Sequence, residues 1–338
     1  MIPVVLPLPE QLHENLVFPF LNNLWNVKDK EVVQLDHSSL SYSFPFGMLV
    51  YAYGVRDFVK YRKQKKLQTV AVNIKNDQVH SYLGHIGFFK FMGLQKGLEP
   101  GEASGNDRYL PISIVTKRNL LANTEDSPDI LHKAIEKESE RLTKIILSLP
   151  SPAITHPITY CLREIIRNVF EHAQTLTCIV CAQKWTEKTI EIAIADNGIG
   201  VLESLNQRYK YNNDIDALRQ AIRPGISRVD VSKITTNNNP WSNSGFGLYV
   251  LSELCKKTGE FLICSGKSGI YLCNDEQETK PFPFAGTAVK LRMVRPKGQD
   301  VQQLIREIVT EGERIARESG TGVVRASKST KTFSNFDF

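Results

Sequence analysis

Apolar positions in the first part of the chain change period several times. VVQLD (Val32–Asp36) and TVAVNI (Thr69–Ile74) are short β-branched runs that read as strands, whereas FGMLVYAYGVRDFVKYRKQ (Phe46–Gln64) and HSYLGHIGFFKFMGL (His80–Leu94) space their apolar residues as helices do. Strands alternating with helices predict a small α/β unit over residues 1–110. The Gly/Pro/Asn-rich stretch LEPGEASGNDRYLP, residues 98–111, breaks the pattern. ISIV (Ile112–Val115) then returns as a strand, and after NTEDSPD an amphipathic helix runs over Ile130–Leu149, capped by Ser127 or Asp129, so that residues 111–150 read as a connection. Residues 151–295 hold a second unit: a helix over Tyr160–Ala173, an alternating strand over Ile190–Asp196, a helix opening at Gly247 and the strand AGTAVKL (Ala285–Leu291). The remainder, residues 296–338, reads as a helix over Val301–Arg317 and a Ser/Thr/Lys-rich tail expected to be disordered after Gly320.

Composition narrows this picture only a little. A chain of 338 residues is long enough for two domains, and 41% hydrophobic with 23% charged residues is ordinary for a globular protein. A formal charge of +6 suits nucleotide enzymes as well as nucleic-acid binders, so a nucleic-acid partner is not indicated. The basic run Lys60–Lys66 ends a predicted helix, where cations oppose the macrodipole and remain solvated. No apolar run is long enough to span a membrane, and the start MIPVVLPLPEQLHENL lacks the basic region of a signal peptide, which together suggest a cytoplasmic protein without membrane contact. Cys178 and Cys181 form a C-x-x-C within a strand-like run. Positions three apart on a strand face opposite ways, so the pair reads as core hydrophobes rather than a metal or redox site.

Three segments carry candidate chemistry. In YCLREIIRNVFEHA, Glu164, Asn168 and His172 recur at i, i+4 and i+8 beside an apolar face. A carboxamide oxygen there can ligate Mg²⁺, and a carboxylate one turn earlier can hold or deprotonate a water. In IEIAIADNGIG a buried strand ends at Asp196 and a turn containing Gly198 and Gly200, which sets one acceptor at the mouth of a sheet and lets a ligand approach the backbone. In NSGFGLYVLSELCKKTGE, Ser244-Gly245-Phe246-Gly247 opens an amphipathic helix whose free N–H groups suit phosphate. The strand after it carries Gly286-Thr287.

In order, spacing and residue type, these segments resemble the N, G1, G2 and G3 boxes of the GHKL, or Bergerat-fold, ATP-binding superfamily, which includes gyrase, MutL, histidine kinases and anti-sigma-factor serine kinases. The resemblance implies an α/β (α+β sandwich) fold for residues 151–295, with ATP and Mg²⁺ as cofactors. It implies Asn168 as the Mg²⁺ ligand, Glu164 as general base, and Asp196 on the adenine amine with Gly198 and Gly200 at the pocket floor. It further implies phosphate or nucleotide contacts along Ser244, Gly245, Phe246, Gly247 and Leu248, a nearby His172, and Thr287 at the adenine end. Val201–Asn243 corresponds to an ATP lid, in keeping with its Asn-rich end. By element order and the GHIGFFKFMG stretch, the N-terminal unit loosely resembles a STAS domain, the fold of anti-sigma-factor antagonists.

The departures shape the functional expectation. His132 is followed by Lys133 rather than by the acidic pattern of a phospho-accepting histidine, and no transducer domain follows the ATP-binding unit. The expected function is therefore an Mg²⁺-dependent ATPase that switches an unidentified protein partner through its lid; a homodimer is compatible with it. The alternatives are a protein serine/threonine kinase of the anti-sigma type and a nucleotide sensor without turnover.

Overall fold

The computed structural model describes residues 2–122, 128–147, 152–226, 245–294, 301–320 and 326. The N-terminal part is built of parallel β-α units. In order come β1 (Val4–Pro7), β2 (Gln11–Leu12), α1 (Glu14–Asn26), β3 (Val32–Asp36), β4 (Tyr42–Ser43), α2 (Pro45–Gln64), β5 (Gln68–Val72) and two short helices, α3 (Gln78–His85) and α4 (Phe88–Phe91). Strands β1, β3 and β5 pair in parallel in that order. Right-handed crossovers taken in one direction put their helices on the same face, and α1 and α2 pack together there, Gly54 leaving room for the Leu21 side chain.

Two expectations for this part are corrected. The single helix read over His80–Leu94 is two, broken at Gly87, whose φ of 87° lies in the left-handed region. The basic run at the end of α2 is not solvated throughout. Arg62 is fully buried and donates to the carbonyls of Lys28, Lys30, Glu31 and Gln68 and to the Thr69 hydroxyl, while Lys63, Lys65 and Lys66 remain exposed. A guanidinium has the donors to satisfy several strand-end carbonyls at once.

The second part contains β6 (Tyr109–Thr116), α5 (Lys117–Leu120), α6 (Pro128–Ile146), α7 (Pro152–His172), β7 (Thr177–Thr186), β8 (Thr189–Asp196), α8 (Gly200–Asn206), α9 (Asp214–Ala221), α10 (Gly247–Thr258), β9 (Gly259–Gly266), β10 (Ser268–Cys273), β11 (Glu276–Lys280), β12 (Phe284–Val294) and α11 (Val301–Ser319). Its strands form one antiparallel seven-stranded sheet in the order β11-β10-β9-β12-β8-β7-β6. The strand read as part of a connection is thus the edge of this sheet, paired with β7. The opposite edge, β11, reads EQETK and is largely exposed; such charges discourage strand pairing with other chains. The molecule is therefore mixed: parallel β-α units followed by an α+β sandwich.

Both faces of the large sheet are covered. On one, Ile192, Ile194, Val289 and Leu291 pack with α6, α7, α10 and α11. On the other, Ala193, Ala195, Leu262 and Ala288 pack with α1, α2 and α4 of the N-terminal unit. Cys178 and Cys181 are buried in the first and second of these cores respectively, as their odd spacing on β7 requires. Among the described residues no helix is long and apolar enough to cross a membrane. The tail expected to be disordered lies, apart from Ala326, outside the described residues, as does Ser127.

Candidate functional site

A pocket opens between the sheet and its helical layer, enclosing about 900 Å³ with its mouth included. Helix α7 contributes Ile165, Asn168, Val169 and His172, a single face because the spacings are three, four and seven. The sheet contributes Ile194, Asp196, Ile263, Thr287 and Val289. Val201, Ser204 and Leu205 from α8, with Ala221 and Ile226 beyond it, close one side, and Gly245, Gly247 and Leu248 at the start of α10 form the rim.

Asp196 ends β8 at the base of this apolar space and is 2% exposed. Its Oδ1 accepts the Gly198 N–H at 2.7 Å. Burial pushes its carboxyl up to about 6, against the N–H groups of Gly198 and Thr287, which favour the charged form. The carboxylate can still accept a hydrogen bond from a ligand, and in this pocket such a bond is weakly screened. Thr287 stands opposite Asp196 in the β8–β12 ladder, so acceptor and hydroxyl are fixed by strand register.

The glycines work by close approach. A Cβ on Gly198 would run into the Ala173 carbonyl at the end of α7, and one on Gly286, whose φ is 99°, would run into the Asp196 carbonyl. Ser265, absent from the sequence reading, holds the same corner: its hydroxyl donates to the Gly286 carbonyl at 2.7 Å and accepts the Val201 N–H at 2.9 Å. A serine near the end of an apolar strand was the available signal, and it is not specific.

The candidate residues divide. Asn168, His172, Asp196, Gly200, Gly245, Gly247, Leu248 and Thr287 line one pocket. Gly198 shapes the turn from behind, without lining it. Phe246 points away; it is fully buried in the helical core, near Gly312 of α11. Ser244 lies among residues 227–244, outside the described residues. The lid read over Val201–Asn243 is helical over Gly200–Asn206 and Asp214–Ala221, with Ala217 and Leu218 completely buried, so its first half is packed structure.

Glu164 is the largest departure. Its carboxylate is fully buried and outside the pocket lining. It accepts from Arg163 Nε at 3.3 Å and Nη2 at 3.2 Å, and from Arg167 Nη2 at 2.7 Å. Arg163 also reaches Glu136 of α6 at 3.0 Å. A Cβ on Gly247 would fall on the Glu164 carboxylate, so the glycine lets this acid sit against the amino end of α10, where a helix dipole favours negative charge. In this geometry Glu164 is an ion-paired anchor. His172 lies 3.8 Å from Glu171, which in turn lies 3.6 Å from His132 on α6.

Among the described residues no group of three or more His, Cys, Asp or Glu side chains is placed to hold a metal ion. A magnesium ion at the rim would therefore combine Asn168 with oxygens of a phosphate ligand, the usual manner for that ion. Comparison with protein-family models, curated proteins and solved structures gave no match. The chemistry rests on the geometry of this pocket alone.

Proposed function

We propose that the chain binds an adenine nucleotide with Mg²⁺ in this pocket and acts as a nucleotide-dependent switch on a protein partner. The observation that carries the reading is a buried carboxylate, Asp196, the one acid among the described lining residues of a largely apolar pocket whose rim is the glycine-lined start of a helix. A purine fits between Ile165, Val169, Ile194, Ile263 and Val289, and an exocyclic amine donates to Asp196. Guanine offers a carbonyl at that position and leaves two acceptors facing each other. The phosphates lie at Gly245 and Gly247, where the N–H groups opening α10 and its dipole favour anions. Asn168 supplies an amide oxygen for the magnesium ion, which neutralises phosphate charge when bound.

Turnover is the part that geometry qualifies. The two arginines stabilise the charged Glu164 carboxylate and so weaken it as a base toward water. That double ion pair favours a second reading, a nucleotide sensor that binds without appreciable turnover. Incubation with γ-labelled ATP and Mg²⁺ distinguishes them. Free phosphate supports the ATPase, label retained on unchanged ATP bound to the protein supports the sensor, and label on the protein supports a kinase. Failure to retain any adenine nucleotide contradicts the proposal as a whole.

A further inference from the structure

The strands that form the pocket have a second face, and α2 lies along it. Near one end of β8 the Phe46 N–H donates to Glu191 Oε1 at 3.2 Å; near the other the Tyr53 hydroxyl donates to the Ala195 carbonyl at 3.5 Å. Seven helical residues rise about 10 Å, and four strand residues about 13 Å, so helix and strand stay in step. Ala195 immediately precedes Asp196 and, by strand alternation, faces the opposite way.

The Tyr53 ring also meets the Phe284 ring edge-on, with centroids 5.4 Å apart. Phe284 opens β12, three residues before Thr287, and the β9–β12 register is irregular between these two residues. Positions three apart on a strand point to opposite faces, here Phe284 toward the N-terminal unit and Thr287 toward the pocket. Tyr53 thus touches both strand ends that present Asp196 and Thr287 to the pocket. Its ring also meets Phe91 of α4 at 5.5 Å, and the Arg56 guanidinium lies 4.4 Å from that same Phe91 ring, so the contact extends into the N-terminal unit.

The geometry points to Tyr53 as a positioning residue of the nucleotide pocket, through which a nucleotide bound on one face of the sheet alters the seating of α2 on the other. The inference rests on the adenine-nucleotide reading. It gives the N-terminal unit a role as the element that registers occupancy. Coupling of this kind is reciprocal, so a change in how α2 sits also changes nucleotide affinity.

Two measurements test it. In the wild-type protein, hydrogen exchange over Pro45–Gln64 is expected to slow when ATP with Mg²⁺ saturates the pocket. Tyr53→Phe keeps the ring contacts and is expected to bind ATP within about twofold of wild type, whereas Tyr53→Ala is expected to bind about tenfold more weakly and to lose the slowing over α2. A purely structural tyrosine would lower the melting temperature of the alanine variant while leaving the affinity of its folded fraction and the exchange response unchanged; that result overturns the assignment. Should Tyr53→Ala not fold, the wild-type exchange experiment decides by itself: saturation with ATP and no change over α2 overturns the coupling. A wild-type protein that binds no adenine nucleotide removes the nucleotide reading instead, and the assignment with it.

Discussion

The two faces of the seven-stranded sheet use alternate residues of the same strands for opposite ends. Toward α7 and α10 the side chains stop short of one another and leave a pocket with one acid, Asp196, among its described lining residues. Toward the N-terminal unit the face is filled, and its charges pair across the seam, although Glu14 Oε2, Glu191 Oε2 and Arg292 Nε keep no hydrogen-bond partner. Lys290 donates to Glu14 Oε1 at 2.7 Å and Glu260 Oε2 at 2.8 Å, and Arg292 donates to Glu260 Oε1 at 2.8 Å. Glu191 accepts the Phe46 N–H in the same seam. A polar group is costly to bury without a partner, and what separates the faces is space: around Asp196 there is room for a ligand to supply one, whereas the seam is closed by packed side chains.

The contrast implies that removing a charge should cost stability on the filled face and binding on the hollow one. The largest effect is expected for Lys290→Met, which leaves Glu14 buried without its cation and Glu260 with Arg292 alone, and should lower the unfolding free energy by roughly 3–5 kcal/mol in urea titrations. A loss under about 1 kcal/mol would mean that the seam is open to water and the N-terminal unit only loosely seated.

Glu164→Gln comes next. As an anchor between Arg163, Arg167 and the start of α10, its loss should destabilise by about 2–3 kcal/mol, moderated because Glu136 and Glu171 remain beside the two arginines. Unchanged stability together with lost ATP turnover would be the signature of a catalytic base and would reverse this assignment.

Glu191 gives a pH-dependent test. Burial pushes its carboxyl up to about 7, with nearby Glu14 adding to the shift and Lys290 and Arg292 opposing it. A carboxyl raised on folding binds protons more tightly in the native state, so its contribution to stability is most favourable at low pH and declines as pH rises from the ordinary carboxylate range through about 7. Glu191→Gln removes this dependence. Relative to wild type, the variant should gain on the order of 1–2 kcal/mol on going from pH 5 to pH 8. Parallel stability curves for the two proteins would show that Glu191 does not retain a proton in the seam.

On the hollow face, Asp196→Ala should weaken ATP binding about tenfold, roughly 1.4 kcal/mol, while changing unfolding by less than about 1 kcal/mol. The reverse pattern, normal binding with a large stability loss, would place Asp196 among the structural charges and erase the distinction between the faces.

Which of these features were legible in the sequence follows from the range of the interactions involved. Phe46–Gln64 and Ile190–Asp196 carry their pattern locally, and each appears within a residue or so of its predicted bounds. Strands β9 to β11 escaped the reading, as did α1, which has Pro19 inside it. The spacing of Glu164 and Asn168 correctly puts both on one side of α7, yet burial of the first is decided by Gly247, a backbone that passes 83 residues later (247 − 164). Lys290 offered no sign of being buried, because its partner Glu14 lies 276 residues away. Local periodicity encodes elements and approximate faces; which polar residue is solvated, paired or left for a ligand depends on contacts between distant segments.

The hollow face is proposed as an adenine-nucleotide site built around Asp196. Calorimetric titration of the wild-type protein with ATP and with GTP, each with Mg²⁺, tests it most directly. Saturable one-site binding of ATP is expected, with at least about tenfold weaker binding of GTP, since guanine turns an acceptor toward a buried carboxylate. Equal affinities, or no heat with either nucleotide at millimolar concentration, would contradict it.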